Sequence, residues 1–225
     1  MLVSILLPSI RPEQFRIRMR EYANLELPGP CEVVVVTDVP ERFDTSVQPQ
    51  PMLTIKHLTQ PRLGNVPATN LAFEHAEGHF VVATNDEVEF DVHSIGALVK
   101  AADELKNLDT IFSFTQTPYC SNDYYGVFFA NCPFGRRSFF KYLNQGNYFF
   151  DPIYRCFYAD PDLALKAHAL GLDVVLVPEA RCTHHCVPGA DGHAANANAY
   201  YHNDRQTFIT RWAHLGPPPT DPSLR

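Results

Sequence analysis

The chain has 225 residues, of which 45% are apolar and 12% aromatic, and its formal net charge is −7. This length and apolar content allow a sizeable core, which excludes a globally disordered protein and predicts one large domain or two small ones. The acidic balance argues against an electrostatic nucleic-acid binder, which would carry a basic excess, so we expect no nucleic-acid partner.

The first part of the chain alternates between strand and helix patterns. Short apolar runs predict strands over residues 3–7, 32–37, 53–57, 80–83 and 110–115. Spacing and composition predict helices over residues 12–22, 70–77 and 92–105. Strands that alternate with helices in this way indicate a parallel α/β sheet.

The second part has a different composition. Residues 119–150 are rich in aromatic residues, Gly and Asn. Most of the aromatic rings are expected in the core, and a few could pack against the C–H face of a sugar. A helix over residues 160–170 is predicted to have Asp160 as its N-cap and Pro161 at its first position. A strand over 174–177, a helix over 194–215 and a flexible tail over 217–225 complete the chain.

Neither a membrane span nor a secretory signal is predicted. No apolar run approaches the ~20 residues that a bilayer requires, and the apolar start lacks a basic region and a cleavage site. We therefore expect a cytosolic protein with free thiols, although it could still act at a membrane surface. Cys182 and Cys186 flank two histidines, but no second cysteine pair has zinc-site spacing, so zinc is not favoured.

Two adjacent acids, Asp86 and Glu87, come directly after the apolar run 80–83 and the pair Thr84-Asn85. Adjacent carboxylates repel each other and are costly to desolvate, so they need a compensating partner. A hard divalent cation that also holds phosphates would compensate them. The alternative is a turn that carries two solvated acids.

Polar residues follow three of the predicted strands, at Pro8-Ser9, at Asp38 and at Asp86-Glu87. Ligands of parallel α/β sheets bind beyond the carboxyl ends of the strands. We therefore expect these three groups to lie at one rim of the sheet.

Asp160 and His184 are further candidates, each with two interpretations. Asp160 is either a helix cap or a carboxylate that takes a proton from an acceptor hydroxyl, which requires partial desolvation to raise its pKa. His184 and His185 are either a surface pair or the source of one imidazole in a mixed metal site. A cluster near the N-terminus is interpreted as a solvated helix face and comprises Arg11, Arg16, Arg18 and Arg20.

In order and spacing, these segments resemble family 2 glycosyltransferases of the GT-A fold. In the first half the resemblance rests on residues 3–9, 33–38, 70–78 and 85–87. In the second half it rests on residues 158–163, on Gly171 and on residues 177–184. The resemblance covers roughly residues 2–186, so chance agreement of all pieces is not expected.

The resemblance implies an α/β fold with a Rossmann-like, mostly parallel central sheet flanked by helices and an aromatic-rich acceptor-side half. It implies one domain over residues 1–216. Residues 1–115 would form the nucleotide-sugar-binding half, and residues 116–216 the acceptor and catalytic half.

The resemblance also assigns roles to individual residues. Asp160 would be the general base, and Asp38 would hydrogen-bond the nucleobase. The donor site would comprise Pro8, Ser9, Asp38, Arg62, Asn85 and Asp86. The ligands of a Mn²⁺ or Mg²⁺ ion would be Glu87, Asp86 and His184.

The implied activity is inverting, metal-assisted transfer of a sugar from a nucleoside-diphosphate sugar to a hydroxyl of a carbohydrate or lipid-linked acceptor, a hexosyltransferase-like reaction of class EC 2.4. The metal would neutralise the leaving diphosphate. The chain departs from the family where Asn85-Asp86-Glu87 replaces Asp-x-Asp, and where Gly64 stands at the site of a usual basic residue, with Arg62 as the nearest candidate.

Two alternatives remain. The departures are compatible with a catalytically inactive module that binds a nucleotide sugar or a glycan. A nucleotidyltransferase is disfavoured, because the segment after the first strand, residues 8–12, has no glycine for a phosphate loop.

Overall fold

The computed structural model describes residues 2–44, 50–105, 109–118, 123–185 and 191–217, with the backbone alone for 191–198. Almost all of the predicted tail, and Cys186, lie outside these residues. Cys31, Cys132, Cys156 and Cys182, the four cysteines that the structure describes, are thiols and not disulfides, as predicted.

Ten strands are present in the described part of the chain. The strands of the main sheet are β1 (Val3–Pro8), β2 (Cys31–Thr37), β3 (Leu53–Thr59), β4 (Phe80–Ala83), β5 (Val88–Phe90), β6 (Ile111–Thr117), β9 (Phe134–Arg136) and β10 (Val174–His184). A separate hairpin is formed by β7 (Asp123–Tyr124) and β8 (Val127–Phe128).

The helices of the described residues pack around this sheet. They are α1 (Pro12–Tyr22), α2 (Asn65–His75), α3 (Ser94–Glu104), α4 (Arg137–Leu143), α5 (Ala159–Ala169) and α6 (Asp191–Arg211), with 3₁₀ turns at Pro40–Arg42 and Ala213–Leu215. Among these residues, no helix combines the length and the apolar character needed to cross a bilayer.

The main sheet is mostly parallel, as predicted. Its order is β3-β2-β1-β4-β9-β6-β10-β5. The strand pairs β3–β2, β2–β1, β1–β4 and β6–β10 are parallel, whereas β9 runs antiparallel to both β4 and β6, and β5 runs antiparallel to β10. The carboxyl ends of β1, β2, β4, β6 and β10 therefore meet at one edge of the sheet.

The core lies on both faces of the sheet, because successive strand side chains point to opposite sides. In β1, Leu6 packs into the cluster formed with α2, α4, α5 and α6, whereas Ile5 and Leu7 pack into the cluster formed with α1 and α3. The predicted aromatic core is confirmed, since Phe139, Phe140 and most of the other rings over 124–150 are buried. Two buried layers explain why β1 and β2 are apolar without alternation.

A buried amide joins the two halves of the chain. Asn70 of α2 donates from Nδ2 to the carbonyl of Phe150 at 2.9 Å. Its Oδ1 accepts the backbone N–H groups of Phe149 and Phe150 at 3.0 and 2.9 Å. These bonds fix the loop that follows α4 against the helix that follows β3.

Several predicted elements have different bounds. The helix predicted over 70–77 begins earlier, at Asn65, and the strand predicted to end at residue 177 continues to His184. A register shift between Val177 and Arg181 lets β10 pass Pro178 and resume its pairing with β6, so His184 lies within a strand and not after a loop.

The prediction that Asp160 caps its helix is wrong. The residue before α5 is Tyr158, whose φ of 63° is left-handed, and it makes no side-chain cap hydrogen bond. Asp160 is instead the second residue of α5.

Candidate active site

A cleft of about 680 Å³ lies at the carboxyl ends of the parallel strands. It brings together the residues to which the resemblance assigns a role: Pro8, Ser9, Asp38, Arg62, Asn85, Asp86, Glu87, Asp160 and His184. His185, the other member of the histidine pair, does not line the cleft and contacts Glu89 at 2.7 Å. The expected meeting of three strand ends at one rim is confirmed. The individual roles of these residues stay predictions.

Asp86 and Glu87 are held by a turn that follows β4. Asn85 accepts the backbone N–H of Glu87 at its Oδ1, at 2.8 Å, and the N–H of Val88 at its carbonyl, at 3.2 Å. Ser9, at the end of β1, donates from its hydroxyl to Asp86 Oδ2 at 2.6 Å. The turn and the neighbouring strand therefore orient both acids.

Arg11 lies between the two acids. Its Nη1 donates to Oε1 of Glu87 and its Nη2 donates to Oδ1 of Asp86. The interpretation of the arginine cluster as a solvated helix face is therefore wrong for Arg11, and it is wrong for the buried Arg18, which pairs with Glu21. Arg11 lies three residues after the end of β1. This position, close to Ser9 in the sequence, could have predicted that Arg11 lies at the same rim of the sheet.

Glu87 is strongly acidic. Burial raises the pKa of its carboxyl, but the nearby imidazole of His184 and the hydrogen bond from Arg11 outweigh burial and lower the pKa to about 2. His184 Nε2 lies 3.6 Å from Glu87 Oε2. Glu87 is thus a carboxylate at every physiological pH, and it holds its charge next to a guanidinium.

Asp160 has the opposite electrostatic character. Its side chain lines the cleft at the start of α5, and desolvation by burial raises its pKa to about 7, against a hydrogen bond from its own backbone N–H. A carboxylate with this pKa accepts protons effectively near neutral pH. The helix N-terminus does not keep its pKa low, because desolvation has the larger effect.

Asp38 follows β2 and presents an unused acceptor. Its Oδ1 is buried and has no hydrogen-bond partner among the residues that the structure describes. Buried polar atoms normally make hydrogen bonds. An unpaired carboxylate oxygen in a cleft can therefore accept a hydrogen bond from a ligand.

The start of α2 forms one wall of the cleft, and Gly64 determines its shape. Gly64 has a φ of +106°, and a Cβ there would lie 2.3 Å from the carbonyl oxygen of Arg155. That carbonyl accepts the backbone N–H of Val66 at 3.0 Å. Arg62, predicted near the donor diphosphate, lines the cleft just before this helix.

The loop that precedes α5 contacts the start of α2 and continues this wall, and α6 holds the loop in place. Asp204 of α6 accepts the backbone N–H groups of Arg155, Cys156 and Phe157 at distances of 2.8 to 3.2 Å. Cys156 and Phe157 line the cleft. Asp204 is not among the residues predicted from the sequence, because nothing in its local pattern separates it from a solvated acid.

The predicted metal ligands do not form a ready metal site. Among the described residues, no group of three or more His, Cys, Asp and Glu side chains is placed to hold a metal ion. One oxygen of Asp86 and one of Glu87 are bound by Arg11. The positive charge of Arg11 opposes a divalent cation at the same position, so in this arrangement the residues do not fit a resident divalent cation.

Comparison with known proteins finds likeness in structure and not in sequence. No family model matches the chain, and no curated protein matches it. Among solved structures, Staphylococcus aureus TarS superposes with a TM-score of 0.58 at 15% identity, over 84% of this chain and 37% of that chain. The chain thus covers less than two thirds of that protein.

Two further structures of S. aureus TarS, residues 1–349, contain ligands. The complex with UDP-GlcNAc has a TM-score of 0.54 at 15% identity, over 83% of this chain and 57% of that chain. The complex with UDP has a TM-score of 0.52 at 14% identity, over 83% of this chain and 59% of that chain. At this identity the likeness shows the fold, an α/β fold of the GT-A type with a mostly parallel central sheet.

Proposed function

We propose that this protein is an inverting glycosyltransferase that moves a sugar from a nucleoside-diphosphate sugar to a hydroxyl group. The GT-A type fold supports the proposal, as does the binding of UDP-GlcNAc and UDP by structural neighbours. The observation that carries it is the position of Asp160, with its raised pKa, in the same cleft as Asp38 and the Asp86–Glu87 turn.

The reaction is a single displacement. Asp160 takes the proton of the acceptor hydroxyl, the hydroxyl oxygen bonds to the anomeric carbon, and the bond from that carbon to the diphosphate oxygen breaks. The nucleoside diphosphate leaves with the bonding electrons. Attack from the face opposite the leaving group inverts the anomeric configuration, and one base is sufficient for this step.

A uridine nucleotide is the proposed donor. Uracil presents one ring N–H, and the unpaired Oδ1 of Asp38 at the end of β2 is a suitable acceptor for it. Pro8 and Ser9, at the end of the neighbouring β1, would lie beside the nucleoside, and Asn85 and Asp86 beside the ribose. Arg62, before α2, would face the diphosphate.

The acceptor side is proposed to bind a carbohydrate or a lipid-linked sugar. Phe129, Phe150 and Phe157 line the same cleft as Asp160. Aromatic rings pack well against the C–H faces of sugar rings, and their apolar bodies exclude water from the base. The resulting activity belongs to class EC 2.4 and is hexosyltransferase-like.

A donor panel tests this proposal. The protein is incubated with UDP-hexoses and sugar acceptors, UDP release is measured, and the anomeric configuration of the product is read by NMR. Expected are UDP release with inversion, and loss of transfer with retained UDP binding in Asp160→Asn. Binding of UDP-sugars without any turnover would instead identify an inactive binding module, and no binding of any nucleotide would refute the donor class.

A further inference from the structure

Every oxygen of the acid pair already has a partner in the protein. Arg11 binds Oδ1 of Asp86 and Oε1 of Glu87. The hydroxyl of Ser9 binds the second oxygen of Asp86, at 2.6 Å, and His184 Nε2 faces the second oxygen of Glu87, at 3.6 Å. A divalent cation that approached either carboxylate would lie next to the guanidinium of Arg11, and the two positive charges would repel each other.

The guanidinium fits this position chemically. Its planar fork offers parallel N–H groups that match carboxylate oxygens, and it carries a positive charge at every pH that proteins encounter. The contact is shielded from water, since the side chains of Arg11, Asp86 and Glu87 are 22%, 3% and 12% exposed. In such surroundings, removal of one partner of an ion pair leaves an uncompensated buried charge, so separation of Arg11 from the two acids is costly.

Arg11 also has capacity left for a ligand. Its Nε is buried and has no hydrogen-bond partner within the described part of the chain. The residue lines the same cleft as the first residues of α2, whose N-terminal N–H groups favour anions. The cleft therefore holds fixed positive charge near the predicted diphosphate position before any ion binds.

We infer that the guanidinium of Arg11 takes the place of a divalent metal ion between Asp86 and Glu87, so that a nucleoside diphosphate binds in this cleft without a metal. The inference rests on the proposed function for the identity of the ligand. Arg11 orients the two acids and supplies the charge that the resemblance assigns to Mn²⁺ or Mg²⁺. No step of the transfer then passes through a metal ion.

Calorimetry with UDP provides the first test. Wild-type protein is titrated with UDP in EDTA and in saturating Mn²⁺, beside Arg11→Met and the matched control Arg16→Met on the exposed face of α1. Wild-type and Arg16→Met proteins should bind UDP equally in both buffers. Arg11→Met should lose about ten-fold or more in affinity in EDTA, the loss expected for one charge-assisted contact, and recover part of it with Mn²⁺.

A Mn²⁺ titration followed by electron paramagnetic resonance tests the same point without nucleotide. The free-ion signal should persist with wild-type protein and decrease with Arg11→Met, because the two acids are then unpaired. If Arg11→Met does not melt cooperatively, Arg11→Lys replaces it in the titration. Lysine keeps the positive charge but cannot bridge both acids, so this variant should bind Mn²⁺ more strongly than wild type and more weakly than Arg11→Met.

The outcomes separate the two proposals. Two results would overturn the role of Arg11. One is binding of Mn²⁺ by the wild-type protein in the absence of nucleotide. The other is UDP binding that requires Mn²⁺ and is unchanged in Arg11→Met. Wild-type protein that binds no UDP in either buffer would overturn the proposed donor, and the Mn²⁺ titration would still decide the role of Arg11.

Discussion

Asp204 accepts the backbone N–H of Phe157 at 2.9 Å, across 47 positions of the chain. The same carboxylate accepts the N–H groups of Arg155 and Cys156, so one side chain of α6 holds three consecutive peptides of the cleft wall. Because Phe157 lines the cleft, the last helix of the described chain shapes a site to which its own sequence gives no hint.

Asp204→Ala should lower the free energy of unfolding by about 3 kcal/mol, because it leaves three peptide N–H groups without their charged acceptor. Urea unfolding measures the loss. Asp103→Ala, at an exposed position of α3, is the control and should change stability by less than about 0.5 kcal/mol. Equal losses in the two variants would show that Asp204 does not hold the wall.

Gly64→Ala should destabilise the protein more than Gly126→Ala. Both glycines have positive φ, +106° and +74°, so both substitutions carry backbone strain. Only at Gly64 does the new Cβ meet an atom, the carbonyl oxygen of Arg155 at 2.3 Å, whereas at Gly126 nothing described lies within 4 Å.

The difference between the two melting temperatures reports the clash at Gly64 together with its backbone strain, because φ 106° with ψ 171° is a conformation that essentially only glycine adopts. We expect Gly126→Ala to cost about 1 kcal/mol and Gly64→Ala to cost at least about 2 kcal/mol and to weaken UDP binding. Similar melting temperatures, with unchanged UDP affinity, would mean that the backbone at Gly64 and Arg155 can move apart without loss of stability.

Asp160→Asn should abolish most transfer and, at the same time, stabilise the fold at neutral and alkaline pH. The pKa of Asp160 is raised to about 7 in the folded protein, so the folded state loses stability as pH rises from the unfolded-state pKa to about 7. An amide does not ionise, so the melting-temperature advantage of the variant should grow over this interval and level off above it. A constant advantage at pH 4.5 and pH 8 would contradict the raised pKa.

The rate of transfer should itself rise with pH. Below a pKa of about 7 the carboxyl of Asp160 is protonated and cannot take the acceptor proton, so kcat/KM should increase about ten-fold per pH unit there and level off above it. The profile is measured with saturating donor and varied acceptor. The residual activity of Asp160→Asn should lack this rise, and a wild-type profile that is flat between pH 5 and 8 would remove Asp160 as the base.

Much of the fold and of the cleft could be predicted because the signals are local. Apolar runs mark β1, β2 and β4, and the parallel alternation then places the residues after them, Ser9, Asp38 and Asp86, at one edge. The helix over residues 12–22 was predicted with its observed bounds, since Pro12 opens it and its composition is uniform.

The remaining features depend on contacts that no local pattern carries. Short strands such as β5 and β9 have three residues each, too few for a periodic signal. The register shift in β10 hides the continuation of that strand behind Pro178. The pairing of Arg11 with Glu87 spans 76 positions, so charge clustering in the sequence suggested a solvated face where the fold makes an internal ion pair.

The amide of Asn70 has a consequence for the design of chimeric proteins. Its three hydrogen bonds reach from α2 to the backbone of Phe149 and Phe150, beyond the boundary near residue 115 predicted from the sequence. A graft that exchanged the second half of the chain at that boundary would place this buried amide against a loop of different sequence. A junction that keeps the hydrogen bonds of Asn70 therefore lies after residue 150.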